Sequence, residues 1–295
     1  MAKKLKPIRK VTKKARRAVN DAVVDKAVDS VINKYITPEE IIAQVIKLPN
    51  VKVDRAAFLQ KELIRYYPEE TVKTAIEHNP AYAGIDKQEI NKIADQVIQY
   101  ETNKVSGISF AAGLPGGFAL AASIPADVIQ YFAFTVKTIQ EIAYLYGFDE
   151  LDFADEEAGS YAMDQILIFL GAMYDVQGVD DSIKVIAEAA ANKTSKALAN
   201  EALTKTAIYP VVKRVAKELR SKIAKRIYVK SASKIVPVIG GAVSGGLTYA
   251  TFKPNCMRLK RSLWDLEICD VGFYEKGEVT STKAMDEAYQ AGVNA

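Results

Sequence analysis

The feature that most constrains this chain is an uncharged run of 22 residues, Val105 to Ala126. As a single helix, such a run would reach about 33 Å, which is enough to cross a hydrocarbon core of about 30 Å. However, glycine and proline interrupt the run between Gly113 and Gly117, and Pro125 disfavours helix at the residue before it. The run therefore predicts two helical pieces joined at Gly113–Gly117 rather than a simple transmembrane span.

A second uncharged run, Ile235 to Phe252, has the pattern GGxxxGG. Gly241 and Gly245 lie four residues apart, so one helical face carries no side chains and another backbone can approach it closely. Gly113 and Gly117 repeat this spacing in the first run. We expect the runs to be helical hairpin segments that pack on each other, in a soluble core or at a membrane, and a separate basic helix to follow around Trp264. Neither run has a phosphate-binding motif.

The rest of the chain also predicts helices, since apolar residues recur every three or four positions and alternating strand patterns are scarce. Thr37-Pro38-Glu39-Glu40 is a capping box, and Asp54 and Pro68 are typical of helix starts. The predicted fold is therefore an all-α multi-helix bundle. We divide the chain into a basic arm (1–17), an N-terminal helical region (18–104), a helical domain with both glycine-rich runs (105–270) and a loose tail (271–295).

Positive charge is concentrated in two places. Residues 1–17 hold nine of the 40 Lys and Arg and no acid, and Lys205 to Lys234 holds ten against the single acid Glu218. In the second segment apolar residues keep helical spacing, which predicts a basic amphipathic helix. Such a helix suits an anionic membrane surface, but an ordinary core helix with a solvated basic face fits equally well. The candidate membrane contacts are Lys213, Arg214, Lys217, Arg220, Lys225 and Arg226.

Asp127 is the first charge after the first run. With Ser123 as the N-cap of a helix running to about Tyr146, this carboxylate would lie in the first turn, near the positive end of the helix dipole. That structural role is the favoured interpretation. The alternative is a buried functional carboxylate.

Residues for catalysis are few. The single histidine, His78, falls at a predicted helix end, and Cys256 and Cys269 are too sparse for a disulfide framework or a zinc site. No catalytic, metal or cofactor-binding constellation is predicted. The absence of a secretory signal favours a cytoplasmic protein.

Two segments resemble the EcsC family of bacterial proteins. AAGLPGGFALAASIPADVIQYFAFTVKTIQEIAYLYGFDE is similar to the central motif of that family, and KIVPVIGGAVSGGLTYATF is similar to its C-terminal signature. The resemblance spans about Ser106 to Leu266. At Ser123, where an aspartate is expected in many relatives, this chain departs from the pattern. The family has no established activity, and the resemblance implies association with a membrane.

These observations lead to a non-catalytic helical protein of the EcsC type at the inner face of the cell membrane. It would bind anionic membrane through basic helices and a glycine-rich hairpin. Two alternatives stay open, namely a soluble protein-interaction module and an enzyme or carrier for a lipid or apolar ligand beside Asp127. A protein partner is compatible with the sequence, whereas nucleic acid is disfavoured because no nucleic-acid-reading motif accompanies the basic segments. The sequence does not determine an oligomeric state.

Overall fold

The chain folds as an α-helical bundle. The computed structural model describes residues 37–112, 126–153, 156–191, 208–233 and 237–275, although not the side chains of 109–112, 126–127, 156–158, 224–233, 237–244 and 275. Over these residues every regular element is a helix, which confirms the predicted all-α fold. The basic arm, Gly113 and Gly117 lie outside the described residues.

Ten α-helices are found in the described residues, with a short 3-10 turn at Glu267–Cys269. In chain order they are α1 Pro38–Ile46, α2 Arg55–Leu63, α3 Glu69–Glu77, α4 Lys87–Ala112, α5 Ala126–Leu145, α6 Glu156–Met173, α7 Val179–Ala191, α8 Tyr209–Ser233, α9 Pro237–Trp264 and α10 Val271–Glu275.

Several helices begin at the capping residues predicted from the sequence, whose side chains form hydrogen bonds with free backbone N–H groups. The Thr37 hydroxyl accepts from the Glu40 N–H at 3.2 Å, while a Glu40 carboxylate oxygen accepts from the Thr37 N–H at 3.0 Å. Asp54 Oδ1 accepts from the Ala57 N–H at 2.8 Å. Gly147 ends α5 with a φ of +92°, a left-handed conformation that glycine adopts without strain. The predicted capping box and the Asp54 cap are therefore confirmed, and α5 ends within one residue of the predicted Tyr146.

A buried arginine ties three distant parts of the chain together. Arg55, at the start of α2, is 7% exposed, and its guanidinium donates to the carbonyls of Ile76 at 2.7 Å, His78 at 2.7 Å and Phe148 at 3.0 Å. Carbonyls at the end of a helix lack partners within it, and a cation is favourable there. Arg55 thus satisfies the end of α3 and the chain just after α5.

The bundle is organised around two long antiparallel helices, α4 and α9, which pack along much of their length. Lys253 Nζ donates to Gln99 Oε1 at 2.6 Å, and Lys260 Nζ pairs with an oxygen of Asp95. The residue numbers of these contacts increase along α9 and decrease along α4, so the two helices run in opposite directions. The opening of the first glycine-rich run, at the end of α4, and the second run, in α9, are therefore on helices that pack on each other.

The remaining helices complete one core. α5 packs on α1, α2 and α4, while α6 packs on α7, α8 and α9. The buried apolar residues, from Ile41 to Cys269, form one cluster. The predicted division between residues 104 and 105 falls inside α4.

The second glycine-rich run differs from its prediction. Pro237 to Trp264 is one continuous helix, so the described part of the run and the basic segment are a single element instead of two. Pro254 lies inside this helix, where it removes one backbone donor but does not end the element. The predicted loose tail also starts later, because Val271–Glu275 is helical.

Candidate functional site

The basic helix α8 has two distinct faces. Its apolar stripe is buried in the protein against α6, and its members are Val212, Val215, Leu219 and Ile223. Lys213, Arg214 and Lys217 are exposed, and Arg220 is partly buried. Lys225 and Arg226 lie in the same helix, beyond the described side chains. The apolar stripe is therefore occupied by the core over the described positions, and the basic face is the one left to solvent.

Contacts within the protein hold part of this basic face in place. Lys213 Nζ lies 4.3 Å from the centre of the Tyr209 ring, a cation–π distance. Arg214 Nη1 donates to the Gln177 carbonyl at 3.1 Å. The one acid of the helix, Glu218, lies 4.0 Å from Lys222 Nζ. Glu218 is thereby paired within the helix, and no acid among the described residues forms an ion pair with Lys213, Arg214 or Lys217.

A groove of about 1090 Å³ adjoins this face, between α1, α6 and α8. Its lining includes buried apolar side chains such as Leu167 and Val212, and lysines that include Lys213. Asp164 also lines it, and burial, followed by the charge of Glu39, raises the pKa of the Asp164 carboxyl. The groove thus joins an apolar interior to a mainly basic rim.

A second feature lies in the core between α4 and α5. Glu101 and Glu141 are 2% and 6% exposed, and both accept from the ammonium group of Lys137, which is 2.9 Å from Glu101 Oε1. Two buried carboxylates thus share one partly buried cation. The Oε2 atoms of both glutamates have no hydrogen-bond partner within the described part of the chain.

The electrostatics of this trio follow from burial. Burial raises the pKa of Glu141 to about 7. The positive charge of Lys137 opposes this shift, and the negative charge of Glu101 adds to it. Burial lowers the pKa of Lys137, but the two carboxylates outweigh it and the net shift is upward. Burial, then the Glu141 charge, raises the pKa of Cys256 on α9. Protonation of Glu141 near neutral pH therefore removes the excess negative charge of the trio.

The glycine face predicted for the second run, with Gly241 and Gly245, is described only in part. Gly241 and Gly245 are both in α9, and Gly245 is buried. Its neighbour Gly246 is exposed, with open space where a Cβ would stand. The closest approach at a described glycine is elsewhere, at Gly171 in α6. There a Cβ would lie 2.7 Å from Val215 Cγ2 and 2.8 Å from Val179 Cγ2.

Among the other singled-out residues, those with described side chains have ordinary surroundings. Asp127 is the second residue of α5, although its side chain is outside the description, so its role stays a prediction. His78 caps the end of α3 and stacks on Tyr82 with ring centres 4.1 Å apart. Cys256 and Cys269 are free and buried, and burial raises the pKa of both thiols, so neither is poised as a nucleophile.

The sequence interpretation did not find the charged trio. Lys137 and Glu141 have the i, i+4 spacing of a helical ion pair and lie in an otherwise apolar helix, which was the available signal. Glu101 is 36 residues before Lys137, and only the packing of α4 on α5 brings it there.

Comparisons with known proteins add no relative. No model of a protein family matches the chain, and no match is found among curated proteins or solved structures. Among the described residues, no helix combines the length and apolarity of a membrane span. The same part of the chain contains no group of three or more His, Cys, Asp or Glu side chains arranged to hold a metal ion.

Proposed function

We propose that this protein binds peripherally to the anionic inner face of the cell membrane through the basic face of α8, without catalysing a reaction. The observation that carries the proposal is the separation of charge on that helix. Lys213, Arg214 and Lys217 are exposed together, while the only acid of the helix is paired with Lys222. Each basic side chain near an anionic surface contributes about 1 kcal/mol.

The burial of the apolar face of α8 supports an electrostatic mode of attachment. An interfacial helix inserts its apolar face into the headgroup boundary. In α8 that face is already buried from Val212 to Ile223, so these residues do not reach the lipid. Attachment through α8 is therefore electrostatic, with the basic arm (1–17) as a second source of charge and the resemblance to the EcsC family as further support.

Flotation with lipid vesicles tests the proposal. The intact protein should float with vesicles containing phosphatidylglycerol at low salt, and high salt should release it, because screening weakens attraction between exposed charges. Replacing Lys213, Arg214 and Lys217 together by Gln should weaken binding by about a hundredfold, at roughly 1 kcal/mol for each of the three charges.

A matched control removes the same charge from other faces. Lys73, Lys92 and Lys184 are exposed on α3, α4 and α7. Their replacement by Gln should leave flotation close to that of the unaltered protein. The proposal fails if the intact protein does not float at low salt, or if both triple variants lose the same binding.

A further inference from the structure

The groove between α1, α6 and α8 has the size and lining of a binding site for a single amphiphile. Its volume of about 1090 Å³ matches the upper end of small-molecule sites, which are about 300–1,000 Å³. Leu167 and Val212 are buried along it, and Ile46 and Met163 add partly buried apolar surface. Such a lining favours a hydrocarbon chain.

The polar groups of the groove indicate the charge of the ligand. Lys47, Lys52 and Lys213 are exposed and line it. Lys52 Nζ lies 5.4 Å from the centre of the Phe153 ring, another lining residue, so this cation is placed beside apolar surface. Among the described residues that line the groove, the carboxyl groups are those of Glu39 and Asp164.

We propose that this groove binds one long-chain fatty acid anion, with its hydrocarbon chain against α6 and α8 and its carboxylate among the three rim lysines. The site goes beyond the proposed function, because it would hold a single molecule in a groove of the protein instead of contacting the surface of a bilayer. It shares only Lys213 with the basic face of α8.

Isothermal titration calorimetry with dodecanoate below its micelle concentration tests the site. We expect saturable binding of one molecule per chain, tightening by up to about fourfold for each methylene added to the chain. Dodecyltrimethylammonium, which has the same chain and a positive head, should bind more weakly. Binding that does not saturate, or a preference for the cationic amphiphile, would overturn the proposal.

Variants separate this site from the membrane-binding face. Ala216→Trp places a large ring in the groove and should reduce dodecanoate affinity at least tenfold, whereas Ala250→Trp, on the exposed side of α9, should not change it. Lys47→Gln combined with Lys52→Gln changes only exposed side chains, and should weaken binding about three- to tenfold. If neither groove variant weakens binding, the site is not this groove.

Flotation of the same Ala216→Trp protein distinguishes the two proposals. Unchanged flotation with lost dodecanoate binding supports the groove as a separate site. If the intact protein binds dodecanoate but does not float, the membrane proposal fails alone. If it floats but shows no saturable dodecanoate binding, the groove proposal fails alone.

Discussion

Glu141 is a carboxylate that lies almost fully buried in the core. It shares the Lys137 ammonium with Glu101 in a site where both carboxylates are almost fully buried. Taking an ion out of water costs several kcal/mol unless partners compensate it, and one cation does not compensate two carboxylates. The trio therefore makes the core sensitive to protons.

The pH dependence of stability follows from the direction of this shift. The pKa of Glu141 is raised from 4.5 to about 7, so between these values the folded state binds more protons than the unfolded state. The free energy of unfolding should consequently fall as pH rises from 4.5 to about 7. Glu141→Gln, which resembles the protonated form, should match the unaltered protein near pH 5 and exceed it near pH 8 by about 2–3 kcal/mol.

Urea unfolding at both pH values measures this difference. Glu188→Gln, at an exposed position of α7, is the matched control and should not change the pH dependence. A Glu141→Gln protein that is less stable than the unaltered protein at pH 8 would show that the carboxylate is favourably ionised there.

Helix α6 approaches its neighbours most closely at Gly171. A methyl group at this position would meet the branched side chains of Val179 and Val215 at less than 3 Å, and neither is a flexible chain end. Overpacking of this kind costs about 1–3 kcal/mol. The helix preference of alanine over glycine, about 1 kcal/mol, offsets part of that cost.

Gly171→Ala should accordingly lower the free energy of unfolding by up to about 2 kcal/mol, the difference between those two effects. Gly246→Ala in α9 is the control, because open space surrounds that position, and it should stabilise the protein by up to about 1 kcal/mol. Chemical denaturation of each variant would measure these changes in the free energy of unfolding. Equal effects of the two substitutions would contradict the close approach at Gly171.

Local sequence patterns predicted the ends of individual helices better than they predicted the contacts between helices. The Thr37 box and the Asp54 cap depend on residues three positions apart, so the sequence contains all that forms them. The Glu101–Lys137 pair and the Gly171–Val215 contact join residues 36 and 44 positions apart, which no local pattern specifies. The continuity of α9 was missed because the glycine-rich run and the basic residues around Trp264 were interpreted as two elements, whereas α9 is one helix that packs on α4.

Over the described residues the molecule has one core, although its sequence suggested separate regions. α1 and α2 pack on α5, and α4 crosses the predicted boundary at residue 105. Arg55 adds hydrogen bonds that join the ends of α3 and α5. Shared burial of this kind makes unfolding cooperative.

We therefore expect one unfolding transition in urea. Trp264, the only tryptophan, reports the end of α9 by fluorescence, while far-ultraviolet circular dichroism reports all helices. The two midpoints should coincide. A helical signal that is partly lost before the Trp264 signal changes would indicate that the N-terminal helices unfold on their own.

The pairing of α4 with α9 also affects how the chain is made. Gln99 and Lys253, which join these helices, are 154 residues apart. At about 5–20 residues per second, a ribosome needs roughly 10–30 s to synthesise the intervening chain. Throughout that interval α4 has emerged without the helix that covers it. The nascent chain thus exposes the apolar face of α4 until Pro237–Trp264 has been synthesised and α9 can cover it.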